Sequence, residues 1–308
     1  MGAVAFLFAG QGAQYPGMGE SLSHCSPAAQ AVFAMADALR PGTSNQCFQG
    51  TKEELSRTVN TQPCLFAVDL AAACAVREAG IVPQAVCGFS LGEVAALTYA
   101  NAFPHADGFR LVLKRAEAMQ RAAEQKKGGM AAVLKLSNET VEMLCASHPG
   151  VYPVNYNCPG QLVVAGEQAA LERFCNSAQL AGGRAMPLAV NGAFHSPYMA
   201  EAAEEFYQLL SDFSFHTPSC PVYANVTAEP YAPPYANLLA QQIASPVRFE
   251  QSIRAMAQAG IDTFVEVGPG KTLTGLVKKI LPEAKAYNVQ DEESLRETLQ
   301  ALTGGNAC

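Results

Sequence analysis

Charge is scarce in this chain: Asp, Glu, Lys and Arg make up only 15% of its 308 residues, where a typical domain has about 25%. It also has no Gly/Ser-rich or charged low-complexity tract, no repeat and no obvious linker. With 49% hydrophobic residues, these absences exclude a disordered chain and leave a compact one, long enough for one large domain or for one domain carrying a smaller insertion. Basic residues are in deficit, giving a net charge of −7, which argues against a general nucleic-acid binder with a basic face. Two local basic stretches stand out, one with Lys114, Arg115, Arg121, Lys126 and Lys127, the other with Lys271, Lys278 and Lys279.

The ten cysteines include no CxxC pair, and a chain with this much apolar core has no need of disulfide staples, so reduced thiols in a cytoplasm are expected. Cys87 reads as a small core residue. The opening MGAVAFLFAG has no basic n-region, is too short to span a bilayer and runs into a glycine-rich loop. It is read as a buried first strand rather than a signal or anchor, and Phe6 breaks the myristoylation pattern. Neither membrane association nor an extra interaction segment is visible, and a monomer is the expectation.

Along the chain, 3–9 reads as a strand, 26–39 as a helix opened by Ser26 and Pro27, and 51–59 as a helix opened by the capping box Thr51…Glu54. A helix over 62–80 stops at Gly80, followed by a strand at 84–88 and helices over 90–100 and 106–125. Between 128 and 190 the order becomes β-α-β-β-α-β, the ferredoxin-like unit, with Gly128, Gly129, Asn191 and Gly192 near its joints. Beyond it come a helix at 197–212, a strand at 221–226, helices near 237–243 and 249–259, a strand at 263–267, a helix at 272–281, a strand at 285–289 and a last helix. Alternation of this kind predicts a largely parallel sheet covered on both faces.

Three glycine-rich signals compete for a function. FAGQGAQYPGMG begins like a dinucleotide loop, but the sixth position of G-x-G-x-x-G is Tyr15 and Pro16 follows, which rejects nicotinamide or flavin binding. VEVGPGKTLTGL resembles the tail of a P-loop, but its first glycine would fall at Val265, so Gly268, Pro269 and Gly270 read as a strand-to-helix turn. The third, Gly88-Phe89-Ser90-Leu91-Gly92, matches the G-x-S-x-G elbow between a strand and a helix. There Ser90 is a candidate nucleophile, and the Leu91 N–H at the helix start a candidate oxyanion donor. A serine that only caps the helix is the alternative.

A serine nucleophile needs a base. His24, His105, His148 and His216 lie in polar, turn-like segments and are expected in solvent, whereas His195 sits at a strand-to-helix joint, where active-site loops collect. The adjoining helix end is expected to disfavour the imidazolium and keep His195 available as a base titrating near neutrality. Arg115 lies among Leu111, Val112, Ala118 and Met119 at helical spacing, on the apolar face of its helix. It could snorkel, pair with a structural carboxylate, or clamp a substrate carboxylate.

GQGAQ at 10–14, TQP at 61–63, GFSLGE at 88–93, LVLKRAEAMQ at 111–120, VNYNCPGQ at 154–161, GAFHS at 192–196 and EVGPGKTLTGL at 266–276 together resemble the malonyl-CoA:acyl carrier protein transacylases and the related polyketide synthase acyltransferase domains. The resemblance covers nearly the whole chain. It implies an α/β-hydrolase-like large domain, 1–127 with 191–308, and a ferredoxin-like subdomain at 128–190. It implies Ser90 as the acylated nucleophile, His195 as its base, and the backbone N–H groups of Gln11 and Leu91 as the oxyanion hole. Arg115 would hold the malonyl carboxylate, Gln242 would orient the histidine through its backbone carbonyl, and Gln62 belongs to the surroundings of the site. Phe194 resembles the malonyl-selective form of its motif, which implies malonyl over methylmalonyl. Malonyl-CoA is then the donor and the phosphopantetheine thiol of acyl carrier protein the acceptor, in ping-pong order with no metal or redox cofactor. One departure stands out: Phe89 occupies the place where the family commonly has histidine.

The absence of fused synthase domains favours a free-standing enzyme of fatty-acid synthesis over a trans-acting polyketide acyltransferase. Two further readings differ in kind. A serine thioesterase or esterase would share Ser90 and His195 but would have no use for a buried Arg115. A non-catalytic acyl-CoA or carrier-protein binding module would form no covalent adduct.

Overall fold

In the computed structural model, which describes residues 2–304, nine strands fall into two sheets. Strands β1 (Ala3–Phe8), β2 (Ala85–Gly88), β3 (Gly128–Leu134), β4 (Val151–Cys158) and β5 (Gln161–Glu167) are followed by β6 (Arg184–Pro187), β7 (Val222–Tyr223), β8 (Ile261–Val267) and β9 (Lys285–Val289). The larger sheet has the order β7-β2-β1-β8-β9, with every pairing parallel. The smaller is antiparallel with the order β4-β5-β3-β6. Numbered from its own first strand and read from its β6 edge, that order is 4-1-3-2, as the ferredoxin-like reading requires. The α/β class and the antiparallel insertion are thus as expected.

Side-chain alternation along β1 explains why both faces of the parallel sheet are covered. Val4, Phe6 and Phe8 join the main core on one face, while Ala5 and Leu7 join a second core with Phe249, Phe264 and Val277 on the other. In β3, Met130 and Ala132 face the main core, whereas Ala131 and Val133 pack with Val164 and Phe174 under the two helices of the smaller unit. One face of the antiparallel sheet is therefore turned toward the large domain.

Several helices differ from the sequence reading. Short helices at Glu20–Cys25 and Thr43–Gln49 were not expected. The stretch 51–59 keeps its capping box but stops at Ser56, because Arg57 turns extended and becomes the start residue of the next helix, Thr58–Glu78. That helix begins before Gln62 and carries Pro63 in its interior, which removes one helical N–H donor. Every residue from Thr61 to Ala73 is buried, and this packing outweighs the lost bond. The helix is long and apolar enough to cross a membrane, but 83% of its apolar window lies inside the protein. The strand expected at 221–226 is paired only over Val222–Tyr223, which frees the following residues to turn toward the site.

Candidate active site

Strand β2, buried along its whole length, delivers the chain into the equally buried helix Leu91–Tyr99. Ser90 stands at the junction with φ 55° and ψ −105°, a conformation unfavourable for a residue with a Cβ. The glycines around it are required by space: a Cβ on Gly88 would strike the backbone of Gly92 and Glu93, and one on Gly92 the carbonyls of Phe8 and Ala9. Ser90 precedes the helix, but its side chain caps nothing, which removes the helix-capping alternative. Its Oγ lies 2.7 Å from His195 Nε2.

His195 arrives from the loop after β6, itself at φ 60°. Its Nδ1 lies 2.9 Å from the carbonyl oxygen of Gln242, in the helical turn Gln242–Ala244. A carbonyl can only accept, so Nδ1 carries the proton and Nε2 presents its lone pair to the Ser90 hydroxyl. The imidazole is held down to about 4, first by burial and then by the Arg115 guanidinium. The direction agrees with the sequence reading, but the cause is burial and Arg115 rather than a helix end, and the titration falls well below neutrality. Of the other histidines, His24 and His216 are exposed as expected, but His105 and His148 are half-buried. His148 bonds to Leu144 O and Ser177 Oγ, away from Ser90.

Arg115 projects from the helix His105–Gln125 and is 1% exposed. It therefore belongs to no surface basic patch, and snorkelling is excluded. Its Nη1 donates to Gln62 Oε1 at 2.7 Å, and its Nη2 to Gln242 Oε1 at 2.8 Å and toward Ser90 Oγ at 3.3 Å. Among the described residues it forms no salt bridge, and its Nε has no acceptor. Burial lowers it to about 10, so it remains a cation at neutral pH, with Glu93 the main opposing charge. A buried guanidinium held by two neutral carboxamides beside a nucleophile is suited to an anionic ligand.

The Leu91 N–H heads its helix, and neither it nor the Gln11 N–H has an acceptor among the described residues. Gln11 lies in the turn after β1, whose neighbour Gly10 approaches the carbonyl of Phe89 too closely to allow a Cβ. Gln11 and Phe89 share a cavity of about 430 Å³ whose far wall is Asn155, Asn157 and Gln161 of the antiparallel sheet. The side-chain oxygens of Asn155 and Asn157 have no hydrogen-bond partner. Phe89 packs its ring on Phe249, with centroids 5.6 Å apart. Phe194 is buried in the main core with its ring edge at Gly192, and Gln62 donates to Met119 Sδ at 3.4 Å in addition to holding Arg115. Cys87 is fully buried with its thiol pushed up by burial, as expected of a core residue. Among the described residues no group of three or more His, Cys, Asp or Glu is placed to hold a metal ion.

Three residues escaped the sequence reading. Asn225, just past β7, bonds the backbone of Ser90 and Gly88, and Glu93 in turn accepts from the Asn225 N–H and from the Tyr231 hydroxyl. The one signal available was a polar residue at the carboxyl end of a strand beside the nucleophile strand, where sites of parallel sheets form.

The Acyl transferase domain model matches residues 5–298. A malonyl CoA-acyl carrier protein transacylase of Bacillus subtilis is 38% identical over 314 residues, covering 99% of each chain. The crystal structure of the malonyl CoA-acyl carrier protein transacylase from Clostridium perfringens superposes with a TM-score of 0.95 at 37% identity, over 98% of both chains. A malonyl-transacylase solved in complex with a type II PKS acyl-carrier protein gives a TM-score of 0.93 at 35% identity, over 97% of this chain and 99% of that one. A strained serine at a strand-to-helix turn, a neutral histidine on its hydroxyl and a full-length match of this kind have one common explanation: the chain is a member of the acyl transferase domain family.

Proposed function

We propose that this acyltransferase moves a malonyl group from malonyl-CoA to the phosphopantetheine thiol of an acyl carrier protein, in fatty acid biosynthesis, through an ester on Ser90. The observation that carries the reading is Arg115, a buried cation with only neutral hydrogen-bond partners, 3.3 Å from the nucleophile oxygen. A thioesterase or esterase of neutral acyl groups would gain nothing from a cation buried there, whereas a dicarboxylic acyl group places its free carboxylate on it.

In the reaction, His195 Nε2 takes the Ser90 proton and Oγ attacks the thioester carbonyl. The oxyanion is received by the Leu91 and Gln11 N–H groups, which are fixed before reaction begins. Collapse expels the CoA thiolate, which takes the proton from His195. The carrier thiol then gives its proton to His195, attacks the ester, and Ser90 recovers the proton as it leaves. Gln242 holds the imidazole tautomer through its carbonyl, and Gln62 steadies Arg115. The cavity shared by Gln11 and Phe89 and walled by Asn155, Asn157 and Gln161 suits the polar pantetheine arm of the donor and acceptor. The chemistry calls on no resident metal or redox cofactor. Phe194, beside the histidine, is assigned to selection of malonyl over methylmalonyl.

We read residues 1–127 with 191–308 as the catalytic unit and 128–190 as its subdomain, in a cytoplasmic monomer. The nine free cysteines of the described residues, most of them partly or fully buried, support the location. A polyketide carrier is the second reading, favoured by the likeness to the transacylase solved with such a carrier.

Intact-mass measurement with malonyl-, methylmalonyl- and acetyl-CoA tests the reading. Malonyl-CoA should give an adduct that is lost in Ser90→Ala and is discharged by holo carrier protein much faster than by water. Methylmalonyl-CoA should react more slowly. No adduct at any time would favour a binding module, and rapid discharge to water would favour a thioesterase.

A further inference from the structure

We propose that Asn225 is a positioning residue of the acyl transfer, its carboxamide clamping the two peptides that lead through Phe89 into Ser90 while Glu93 and Tyr231 hold the clamp in place. The inference rests on the reading of Ser90 as the acylated residue.

Ser90 occupies its unfavourable backbone conformation without help from its own side chain, so the surroundings must impose it. Asn225 uses both ends of its carboxamide on this stretch: Oδ1 accepts from the Ser90 N–H at 2.8 Å, and Nδ2 donates to the Gly88 carbonyl at 2.6 Å. Gln242 Nε2 completes the hold, donating to the Ser90 carbonyl at 2.5 Å and to Asn225 Oδ1 at 3.2 Å. The Ser90 carbonyl and the Leu91 N–H belong to one planar peptide, so fixing the first aims the second.

Asn225 is itself fixed. Its backbone N–H donates to one carboxylate oxygen of Glu93 at 2.6 Å, and the Tyr231 hydroxyl donates to the other. Glu93 lies in the first turn of the helix that Ser90 precedes, so the ring of bonds closes on the elbow. Asn225 and Glu93 are both fully buried. None of the three hydrogen bonds of the Asn225 side chain reaches the Ser90 hydroxyl or His195. Asn225 acts through the direction of the Ser90 Cα–Cβ bond and, by way of Gln242, of the Leu91 N–H. Without the clamp the peptide is free to relax toward an allowed conformation, which takes Oγ out of its 2.7 Å contact with Nε2.

The test is the rate of malonyl-Ser90 formation, followed by rapid-quench intact mass on the full chain. Asn225→Ala should acylate about 100-fold more slowly, with KM for malonyl-CoA within about threefold because Arg115 is untouched. Tyr231→Phe should show the same pattern at about tenfold. The acid limb of the pH profile should not move in either variant, since the surroundings of His195 are unchanged. A folded Asn225→Ala that acylates within about threefold of the unaltered protein, or whose loss is confined to KM, would overturn the proposal. If Asn225→Ala is recovered only unfolded, Tyr231→Phe and Glu93→Gln carry the test, and undiminished acylation in both overturns it. Failure of the unaltered protein to form any adduct would sink the Ser90 reading instead, which keeps the two failures apart.

Discussion

Ser90 can be activated only while His195 Nε2 is unprotonated, and both influences that depress this imidazole are visible: burial first, the Arg115 cation second. With the ring held to about 4, acylation should rise with pH through that value and run level across neutrality, where an ordinary histidine would still be titrating. Removing the cation in Arg115→Ala should move the acid limb upward, toward the ordinary histidine range. An acid limb of kcat/KM near neutrality in the unaltered protein would count against the assignment. The same variant tests selectivity. Losing the partner of a buried carboxylate costs about 2 kcal/mol or more, so malonyl transfer should fall at least about thirtyfold, while acetyl transfer, which places no charge there, should fall far less. Equal losses with the two donors, measured as kcat/KM, would mean that Arg115 serves the fold and not the acyl group.

At the scale of elements, the elbow works because a strand and a helix meet with no room for a side chain between them. Gly88→Ala would drive a methyl into the backbone of Gly92 and Glu93, neither of which can retreat, since the helix Leu91–Tyr99 is buried throughout. The substitution is expected to destabilise by about 3 kcal/mol and to abolish the malonyl adduct. A urea-unfolding free energy within about 0.5 kcal/mol of the unaltered protein would refute it.

This element was legible in the sequence because all its parts are local. The glycine spacing, the apolar run before it and the helical run after it lie within a few residues, and the joint that carries His195 is equally local. What could not be read depends on distance along the chain. The Asn225 clamp joins residues 135 apart, and β7 shrinks to two paired residues because pairing depends on its neighbour β2. The helix that runs through Pro63 was decided by burial, which outweighs local propensity. His195 lies against the Ser90 hydroxyl, but its depressed titration comes from packing and from a cation on another helix, neither of which its own segment reveals.

The whole molecule encloses its chemistry between two sheets, and the same close packing buries acids that titrate with folding. Asp69 is fully buried, neither of its oxygens has a partner, and burial aided by Glu266 holds its carboxyl well above the usual range. Glu93 is raised to about 7 and Glu266 is raised as well, both chiefly by burial. For each group the folded state keeps a proton that the unfolded chain releases. Their combined effect is therefore absent at pH below the unfolded carboxylate range, and stability is lost as pH rises from about 4 toward the folded-state values. Asp69→Asn keeps the shape and removes the ionisation. Its amide also lacks partners, which adds an offset of about 1 to 3 kcal/mol that does not vary with pH. The informative quantity is consequently the slope: relative to the unaltered protein, the variant's melting temperature should improve steadily from about pH 4 to about pH 8. A difference that stays constant over that range would show that Asp69 does not hold its proton in the folded protein, and a difference that worsens with pH would show that its charged form is stabilised by a partner.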